Sequence, residues 1–259
     1  IIIKTEGFEN MNFSGKTAIV TGGANGIGKE VVRGIVEGGG NVIIADINQG
    51  AAERVIAEFG AEHTSFTYMD LGNHESIVEA MNKIIATAGK IDILVNCAGV
   101  ISAKPFEQLT YDEWERTIRI NLSGCFSTIS TIFPHFIEQK GGRIVNVSSV
   151  AAKLGGGLLG TAAYASSKAG LNGLTKAVAK EGGKYGIACN AVCPSFTRTD
   201  MTVLSEDPEK SQRVINMIPL GRRAEPVEIA QMILFFASDL ASFVSREIGD
   251  CDGGITLDG

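Results

Sequence analysis

The feature that most constrains the fold is a regular alternation of short apolar runs with longer amphipathic stretches. The runs are apolar at successive positions, which is typical of strands buried on both faces of a parallel sheet. Strands are predicted at 18–20, 42–45, 65–68, 91–95, 144–147 and 187–192. Helical spacing of apolar residues predicts helices over 28–37, 49–59, 74–88, 111–137, 162–184 and 226–237. The alternation predicts an α/β fold, a doubly wound parallel sheet of about seven strands with helices on both faces.

Composition favours a single globular domain. The chain has 259 residues, of which 44% are hydrophobic and 20% are charged, as in an ordinary soluble protein. It contains no linker and no internal repeat, so residues 13–259 are predicted to form one domain. Residues 1–12 include the first methionine, Met11, and are predicted to be an extension outside that domain, either divergent or added to the natural chain.

Charge and cysteine usage exclude several classes of partner. The 23 basic residues against 29 acidic ones give a net charge of −6, which argues against a nucleic-acid partner. The five cysteines contain no C-x-x-C pair, so a reducing compartment is expected and the protein is predicted to be cytoplasmic. No apolar run is long enough for a membrane partner. The three histidines are dispersed, so no metal site is predicted.

A glycine-rich turn, residues 21–28, connects the first predicted strand to the first helix. Gly22, Gly26 and Gly28 permit a tight turn and let backbone N–H groups approach a phosphate, while the helix amino terminus favours negative charge. Asn25 and Ile27 belong to the same turn. The position between a buried strand and a helix predicts a nucleotide site, although the spacing differs from the G-x-G-x-x-G pattern.

Asp46 ends the second predicted strand. In a dinucleotide-binding fold, a carboxylate there accepts hydrogen bonds from ribose hydroxyls and repels a 2′-phosphate, which predicts NAD rather than NADP as cofactor. Lys29, just after the last glycine, is the nearest cation that could offset this repulsion. The alternative interpretation of Asp46 is a helix cap.

Tyr164 and Lys168 lie four residues apart and share one face of a predicted helix. An ammonium group stabilises a phenolate, so the pair is suited to moving one proton. The spacing alone is weak evidence, because an ordinary surface helix can carry the same two residues.

Taken in order, these motifs resemble the short-chain dehydrogenase/reductase family of Rossmann-type oxidoreductases, from Phe13 to Leu257. Further matching motifs are Asp70-Leu71, Asn96-Cys97-Ala98-Gly99 and the segment 194–199. Besides the glycine turn and Asp46, the resemblance implies cofactor contacts from Asp70, Leu71, Asn96, Ala98, Gly99, Tyr164, Lys168, Pro194, Thr197 and Thr199.

The resemblance also implies a catalytic set of Asn121, Ser149, Tyr164 and Lys168. Tyr164 would take the proton of a substrate hydroxyl while hydride leaves for the nicotinamide, and Lys168 would stabilise the phenolate and hold ribose hydroxyls. Ser149 would orient the reacting oxygen, although the adjacent Ser148 is an alternative. Asn121 would bind a water that links Lys168 to solvent, or it is a buried amide that braces the loop of Asn96.

Three positions depart from the family pattern. Cys97 replaces an asparagine, which should leave the backbone contact to the cofactor intact. Ser195 stands where the family has glycine, so a backbone that needs positive φ there would be strained. Arg246 also stands where a glycine is expected.

The substrate region is predicted from two loops, a substrate loop of about 150–162 and a lid of about 199–217. Substrate contacts are predicted for Ser149, Leu154, Leu159, Tyr164, Phe196 and Met201. This mainly apolar wall favours a neutral secondary alcohol, such as a hydroxysteroid or polyol, and its ketone. Lys104, Lys153 and Arg198 would contradict that choice if they pointed inward.

Alternative functions follow from the same motifs. A 3-oxoacyl-acyl-carrier-protein reductase would prefer NADP and a basic docking surface. A nucleotide-sugar epimerase usually has a G-x-x-G-x-x-G turn and an added substrate domain, and a non-catalytic regulator would more often lose Tyr164, Lys168 or Ser149. The helices of Trp114 and Tyr164 are expected to pair between subunits, giving a homotetramer or a homodimer.

Overall fold

The computed structural model describes residues 11–156, 161–199, 202 and 208–256, and these residues contain a single sheet of seven strands. The strands are β1 (Thr17–Thr21), β2 (Asn41–Asp46), β3 (Thr64–Tyr68), β4 (Ile93–Asn96), β5 (Gly142–Val147), β6 (Ile187–Pro194) and β7 (Ile248–Cys251). Their order is β3-β2-β1-β4-β5-β6-β7, and every neighbouring pair is parallel. The predicted doubly wound α/β fold is confirmed.

Helices cover both faces of this sheet. They are α1 (Gly26–Glu37), α2 (Gln49–Phe59), α3 (His74–Ala88), α4 (Tyr111–Ile118), α5 (Gly124–Glu138), α6 (Ala151–Leu154), α7 (Ala162–Gly182), α8 (Pro208–Met217) and α9 (Pro226–Ala237). The first core, on one face, is formed by α1, α2 and α9, and the second core, on the other face, by α3, α5 and α7. Among these described helices, none combines the length and the apolar character needed to cross a bilayer.

The predicted helix over 111–137 is divided by a π-helical turn, Arg119–Ser123, which lies between α4 and α5. The turn begins without a break in helical direction, because its flanking residues Ile118 and Gly124 keep right-handed helical dihedrals. A π turn inserts an extra residue and rotates the following side chains relative to the preceding ones. Asn121 lies at the centre of this insertion and is fully buried.

Two predicted loops contain helical structure. The short helix α6 lies within the predicted substrate loop, directly after Ser149 and Val150. Helix α8 occupies the second half of the predicted lid, and its Val214 is buried with Phe196 and Ile218 in a third, smaller cluster. That half of the lid is therefore packed onto the domain.

The order of the strands reverses at β1, because β2 and β3 lie on one side of it and β4 to β7 on the other. Helices α1 and α2, which connect β1 to β2 and β2 to β3, lie on one face of the sheet, and α5, which connects β4 to β5, lies on the other. A crevice opens between them at the carboxyl ends of β1 and β4. The segments that follow β1, β2, β4, β5 and β6 all reach this edge of the sheet, which positions the site described below.

Arg246 and Ser195, the two residues that stand where glycine is expected, differ in backbone conformation. Arg246 has φ of 72°, and Lys140 is the only other non-glycine described residue with positive φ. The glycine expected at position 246 is therefore a real conformational requirement that the arginine meets at a cost. Ser195 does not have positive φ, so the strain expected there is absent.

Replacement of Arg246 by glycine is expected to stabilise the protein by about 0.5–1 kcal/mol, because glycine adopts this conformation without a Cβ clash. Urea unfolding followed by circular dichroism measures the change. Arg246→Ala is the control, since it removes the exposed side chain but keeps the Cβ, and it should not stabilise. Equal stabilisation by both variants would show that the side chain, rather than the backbone, is the cause.

Candidate active site

An open cleft of about 840 Å³ runs along the carboxyl ends of the strands on both sides of the reversal. It collects segments that are distant in the chain, from the glycine turn to the loop after β6. Predicted site residues that line it are Gly22, Asn25, Gly26, Ile27, Gly28, Asp46, Asp70, Leu71, Ala98, Gly99, Ser149, Tyr164, Lys168, Pro194, Phe196, Thr197 and Thr199. Asn96 and Asn121 do not line the cleft.

The glycine turn needs its glycines for different reasons. Gly22 and Gly26 have φ of 67° and 52°, a conformation that favours glycine. A Cβ on Gly22 would lie 2.8 Å from the Ala98 Cα, and one on Gly28 would lie 2.1 Å from the Gly22 carbonyl oxygen. The turn therefore brings bare backbone to the cleft, next to the amino terminus of α1, as a phosphate site requires.

Thr21, a residue that the sequence analysis missed, joins the turn after β1 to the turn after β4. Its hydroxyl oxygen accepts hydrogen bonds from the backbone N–H groups of Cys97 and Ala98, at 3.1 and 3.2 Å. The available signal was a polar residue at the end of a fully apolar strand.

Burial raises the pKa of the Cys97 thiol to about 12, against the opposing effect of the Lys168 charge, so this cysteine is a neutral wall residue.

Asp46 connects β2 to the glycine turn. Its carboxylate accepts hydrogen bonds from the backbone N–H of Asn48 at 2.9 Å and of Ala24 at 3.3 Å, and it lines the cleft. The alternative interpretation of Asp46 as a helix cap is not supported, because Asn48 caps α2 by accepting from Ala51 N at 3.0 Å.

The cations nearest to Asp46 on α1 are engaged with carboxylates. The Lys29 ammonium lies 2.7 Å from Glu58, and Arg33 pairs with Glu30 at 3.2 Å and with Glu58 at 3.5 Å. The aromatic ring of Phe59 lies beneath both cations, at 5.9 and 5.5 Å from its centre. These contacts hold Lys29 and Arg33 along α2 rather than over the cleft.

The loop after β3 and helix α4 form another wall of the half of the cleft that contains Asp46. Asp70 donates its backbone N–H to the Ser76 hydroxyl at 3.1 Å, and its carboxylate accepts from Gly72 N at 2.8 Å. Cleft-lining residues missed by sequence reasoning include Ile47, Arg116, Arg119 and Ile120. The only available signal for the arginines was their spacing of three residues, which places them on one helix face.

Lys168 is nearly fully buried and lies beside Tyr164. Its ammonium donates to the Val147 carbonyl oxygen at 2.7 Å and lies 5.8 Å from the centre of the Tyr164 ring. The single bond to the end of β5 leaves two N–H donors of the ammonium for other oxygens. The predicted pairing of a phenol with an ammonium on one face of α7 is thus present in the cleft wall.

Ser149 and Ser148 differ in their hydrogen bonds. The Ser148 hydroxyl donates to the Lys168 carbonyl oxygen at 3.2 Å, so its proton is committed to the protein. The Ser149 oxygen accepts from Ala151 N at 3.1 Å, which leaves its proton free to donate. Both line the cleft, but only the arrangement of Ser149 suits binding of a carbonyl oxygen.

Asn121 and Asn96 support the wall from behind. The Asn121 amide accepts from Val100 N at 2.8 Å and donates to the Val100 carbonyl at 2.9 Å and to the Ser167 hydroxyl at 3.1 Å. Asn96 donates to Asn146 at 2.9 Å and accepts from the Thr128 hydroxyl at 2.8 Å. Both side chains therefore have structural roles, and the predicted water of Asn121 would have to be held by its backbone.

At the substrate end, Phe196 and Val150 form an apolar wall and are almost completely buried. Leu154 does not line the cleft and is 44% exposed at the end of α6, so the structure does not support its predicted contact. The predicted contacts of Leu159 and Met201 lie outside the described residues.

The three basic residues that could have contradicted an apolar wall do not line the cleft. Lys104 pairs with Glu113 at 2.8 Å, Lys153 with Asp250 at 2.8 Å, and Arg198 with Glu225 at 3.3 Å. Over the described ranges, no cluster of three or more histidine, cysteine or acidic side chains could hold a metal ion.

A family model described as short chain dehydrogenase matches residues 16–210 of the chain. Among curated relatives, an acetoacetyl-CoA reductase of Acinetobacter is 37% identical over 93% of this chain and 98% of its own. A 3-oxoacyl-[acyl-carrier-protein] reductase of Thermotoga maritima is 37% identical over 95% of this chain and 100% of its own. A D-threitol dehydrogenase of Mycolicibacterium smegmatis is 35% identical, with 96% and 95% covered.

Solved structures agree with this result. A structure described as a putative NAD(P)-dependent gluconate 5-dehydrogenase from Beutenbergia cavernae, with bound NADP at low occupancy, superposes with a TM-score of 0.87. It is 30% identical, and the match covers 94% of this chain and 98% of that one. Two of these relatives are named as acyl reductases and one as a polyol dehydrogenase, so the names agree better with the predicted acyl-reductase alternative than with a hydroxysteroid or polyol. The chain belongs to the short-chain dehydrogenase/reductase family of nicotinamide-dependent oxidoreductases.

Proposed function

We propose that this protein transfers hydride between NAD(H) and a 3-oxoacyl or 3-hydroxyacyl thioester, with Tyr164 as the proton donor or acceptor. The observation that carries the proposal is the Tyr164–Lys168 pair beside Ser149 at the end of a cleft that fits a dinucleotide. The thioester is supported by the names of the two relatives at 37% identity.

The residues of the cleft fit a nicotinamide dinucleotide. Gly22 and Gly28 bring backbone without side chains to the cleft at the amino terminus of α1, and Asp46 offers carboxylate oxygens to ribose hydroxyls. Two N–H donors of Lys168 remain for further oxygens. When bound, the nicotinamide supplies or accepts the hydride.

In the reducing direction, Ser149 donates its free proton to the substrate carbonyl oxygen and holds it beside Tyr164. The Tyr164 hydroxyl gives its proton to the developing alkoxide, and the Lys168 ammonium stabilises the phenolate that remains. In the oxidising direction the reverse step occurs, and the Tyr164 phenolate takes the proton of the substrate hydroxyl. Phe196 and Val150 exclude water from this end of the cleft and contact the apolar part of the substrate.

A second candidate substrate class, a polyol or another neutral secondary alcohol, is supported by the resemblance to D-threitol dehydrogenase and by the apolar wall. An epimerase is less well supported, because the described part of the chain forms one sheet domain without an added substrate domain. A non-catalytic regulator is disfavoured because Ser149, Tyr164 and Lys168 are all present.

Replacement of Tyr164 by phenylalanine is expected to lower kcat by about 10²–10⁴-fold, because the proton donor is lost while the ring is kept. Turnover is followed by absorbance of the reduced cofactor with acetoacetyl-CoA and NADH, and in parallel with D-threitol and NAD. NADH binding, measured by fluorescence, should be unchanged and serves as the control for folding. Retention of most of the turnover by Tyr164→Phe would refute the acid–base role.

We further propose NAD over NADP, because Asp46 faces the cleft while Lys29 and Arg33 are held by Glu58 and Glu30. NADH is expected to bind at least about tenfold more tightly than NADPH, since a carboxylate near a 2′-phosphate costs about 1–4 kcal/mol. Asp46→Ser should reduce this preference, and Glu58→Gln should reduce it less by releasing Lys29. NADPH binding as tight as that of NADH in the unaltered protein would overturn the assignment.

We also propose that the protein is a cytoplasmic homotetramer. Support comes from the free state of its five cysteines and from large apolar side chains exposed along α4 and α5, among them Tyr111 and Phe126. Sedimentation equilibrium should give four times the mass of the chain. Tyr111→Glu is expected to lower that mass, and a monomer in the unaltered protein would contradict the proposal.

A further inference from the structure

We propose that Lys153 and Asp250 are positioning residues that hold the catalytic turn of Ser149 against the last strand of the sheet. This inference rests on the proposed function, in which Ser149 orients the reacting oxygen. Neither Lys153 nor Asp250 lines the cleft, so each would act only through the residues that it holds.

Lys153 belongs to the same hydrogen-bonded turn as Ser149. Ala151 N donates to the Ser149 hydroxyl oxygen at 3.1 Å, Ala152 N to the Ser149 carbonyl at 3.0 Å, and Lys153 N to the Val150 carbonyl at 3.0 Å. The helix formed by this turn, α6, has four residues. A helix so short is not stable by itself, so its position depends on contacts with the rest of the protein.

The Lys153 side chain supplies such a contact. Its ammonium donates to an oxygen of Asp250 at 2.8 Å, and only 18% of the lysine and 21% of the aspartate side chain is exposed. Asp250 lies in β7 opposite Cys193 of β6, two residues before the loop that carries Phe196. A charge-assisted hydrogen bond with this much burial is shorter and less screened by salt than a surface pair.

Asp250 is in turn connected to the segment after β7. The Thr256 hydroxyl lies 3.1 Å from the same Asp250 oxygen and 2.6 Å from an oxygen of Asp252. The preceding residue, Ile255, packs on the cluster of Phe196, Val214 and Ile218. The segment after β7 therefore supports two parts of the reacting end of the cleft. It supports the polar side through Lys153 and Ser149, and the apolar wall through Phe196.

The arrangement makes the geometry of Ser149 depend on an ion pair outside the cleft. If the contact between Lys153 and Asp250 is lost, α6 keeps its internal hydrogen bonds but loses this side-chain attachment to β7. A displacement of the Ser149 hydroxyl by about 1 Å would cost about a hundredfold in rate. The cofactor contacts of the glycine turn and of Asp46 would be spared, because these segments follow β1 and β2, which lie far from β7 in the sheet.

The test is a double-mutant cycle between Lys153 and Ser149. Turnover is measured with acetoacetyl-CoA and NADH, or with D-threitol and NAD if that is the better substrate. Lys153→Met is expected to lower kcat about ten- to a hundredfold with an unchanged Kd for NADH. In the Ser149→Ala background the same substitution should cause no further loss, because the group that it positions is gone. Asp250→Asn, which keeps the shape of the side chain, should give the same two results.

Lys90→Met is the control, since Lys90 pairs with Asp92 just before β4, at the amino-terminal ends of the strands, and its loss should leave kcat unchanged. Equal losses from Lys153→Met in both backgrounds, or a lower Tm with unchanged kcat, would overturn the positioning role. Failure of the proposed function is distinguishable, because Tyr164→Phe would then retain turnover. If Tyr164→Phe is inactive and Lys153→Met is normal, only the inference about the pair fails.

Discussion

The site depends on the close approach of two backbone turns, one after β1 and the other after β4. Gly22 lies so near Ala98 that a single methyl group would collide with it, and the Thr21 hydroxyl holds the second turn in place through two backbone N–H groups. The approach closes the floor of the crevice where the strand order reverses. Without it, the nucleotide half and the reacting half of the cleft would not share one continuous surface.

Amide side chains behind this floor make the reacting half rigid. The Asn121 side chain accepts a hydrogen bond from the N–H of Val100 and donates one to its carbonyl. In the neighbouring strands, Asn96 of β4 donates to Asn146 of β5. Each of these side chains is buried with its hydrogen bonds made within the protein, and a satisfied network of this kind fixes a unique arrangement. The hydrogen bonds of these amides thus serve to position the wall of the cleft.

Much of the fold could be predicted from the sequence, because alternating apolar runs and helical spacing leave few topologies for a parallel sheet. The cleft positions of the glycine turn, Asp46, Ser149, Tyr164 and Lys168 could also be predicted, since each stands at or shortly after the end of a strand or on one helix face. The π turn at Asn121 was not, because its apolar spacing continues that of the flanking helices. The exposure of Leu154 was not predictable either, because the glycines that follow it gave no sign of a helical turn before them.

The two hydrogen bonds between Lys168 and the end of β5 have a further consequence. The Lys168 ammonium donates a hydrogen bond to the Val147 carbonyl, and the Lys168 backbone carbonyl accepts one from the Ser148 hydroxyl. These two bonds fix the distance between helix α7 and the sheet, and therefore also the position of Tyr164. Substitutions in the loop after β6 are therefore expected to leave Tyr164 in place. The position of the Tyr164 phenol thus depends on α7 and the sheet, whereas the loop after β6 shapes the apolar wall through Phe196.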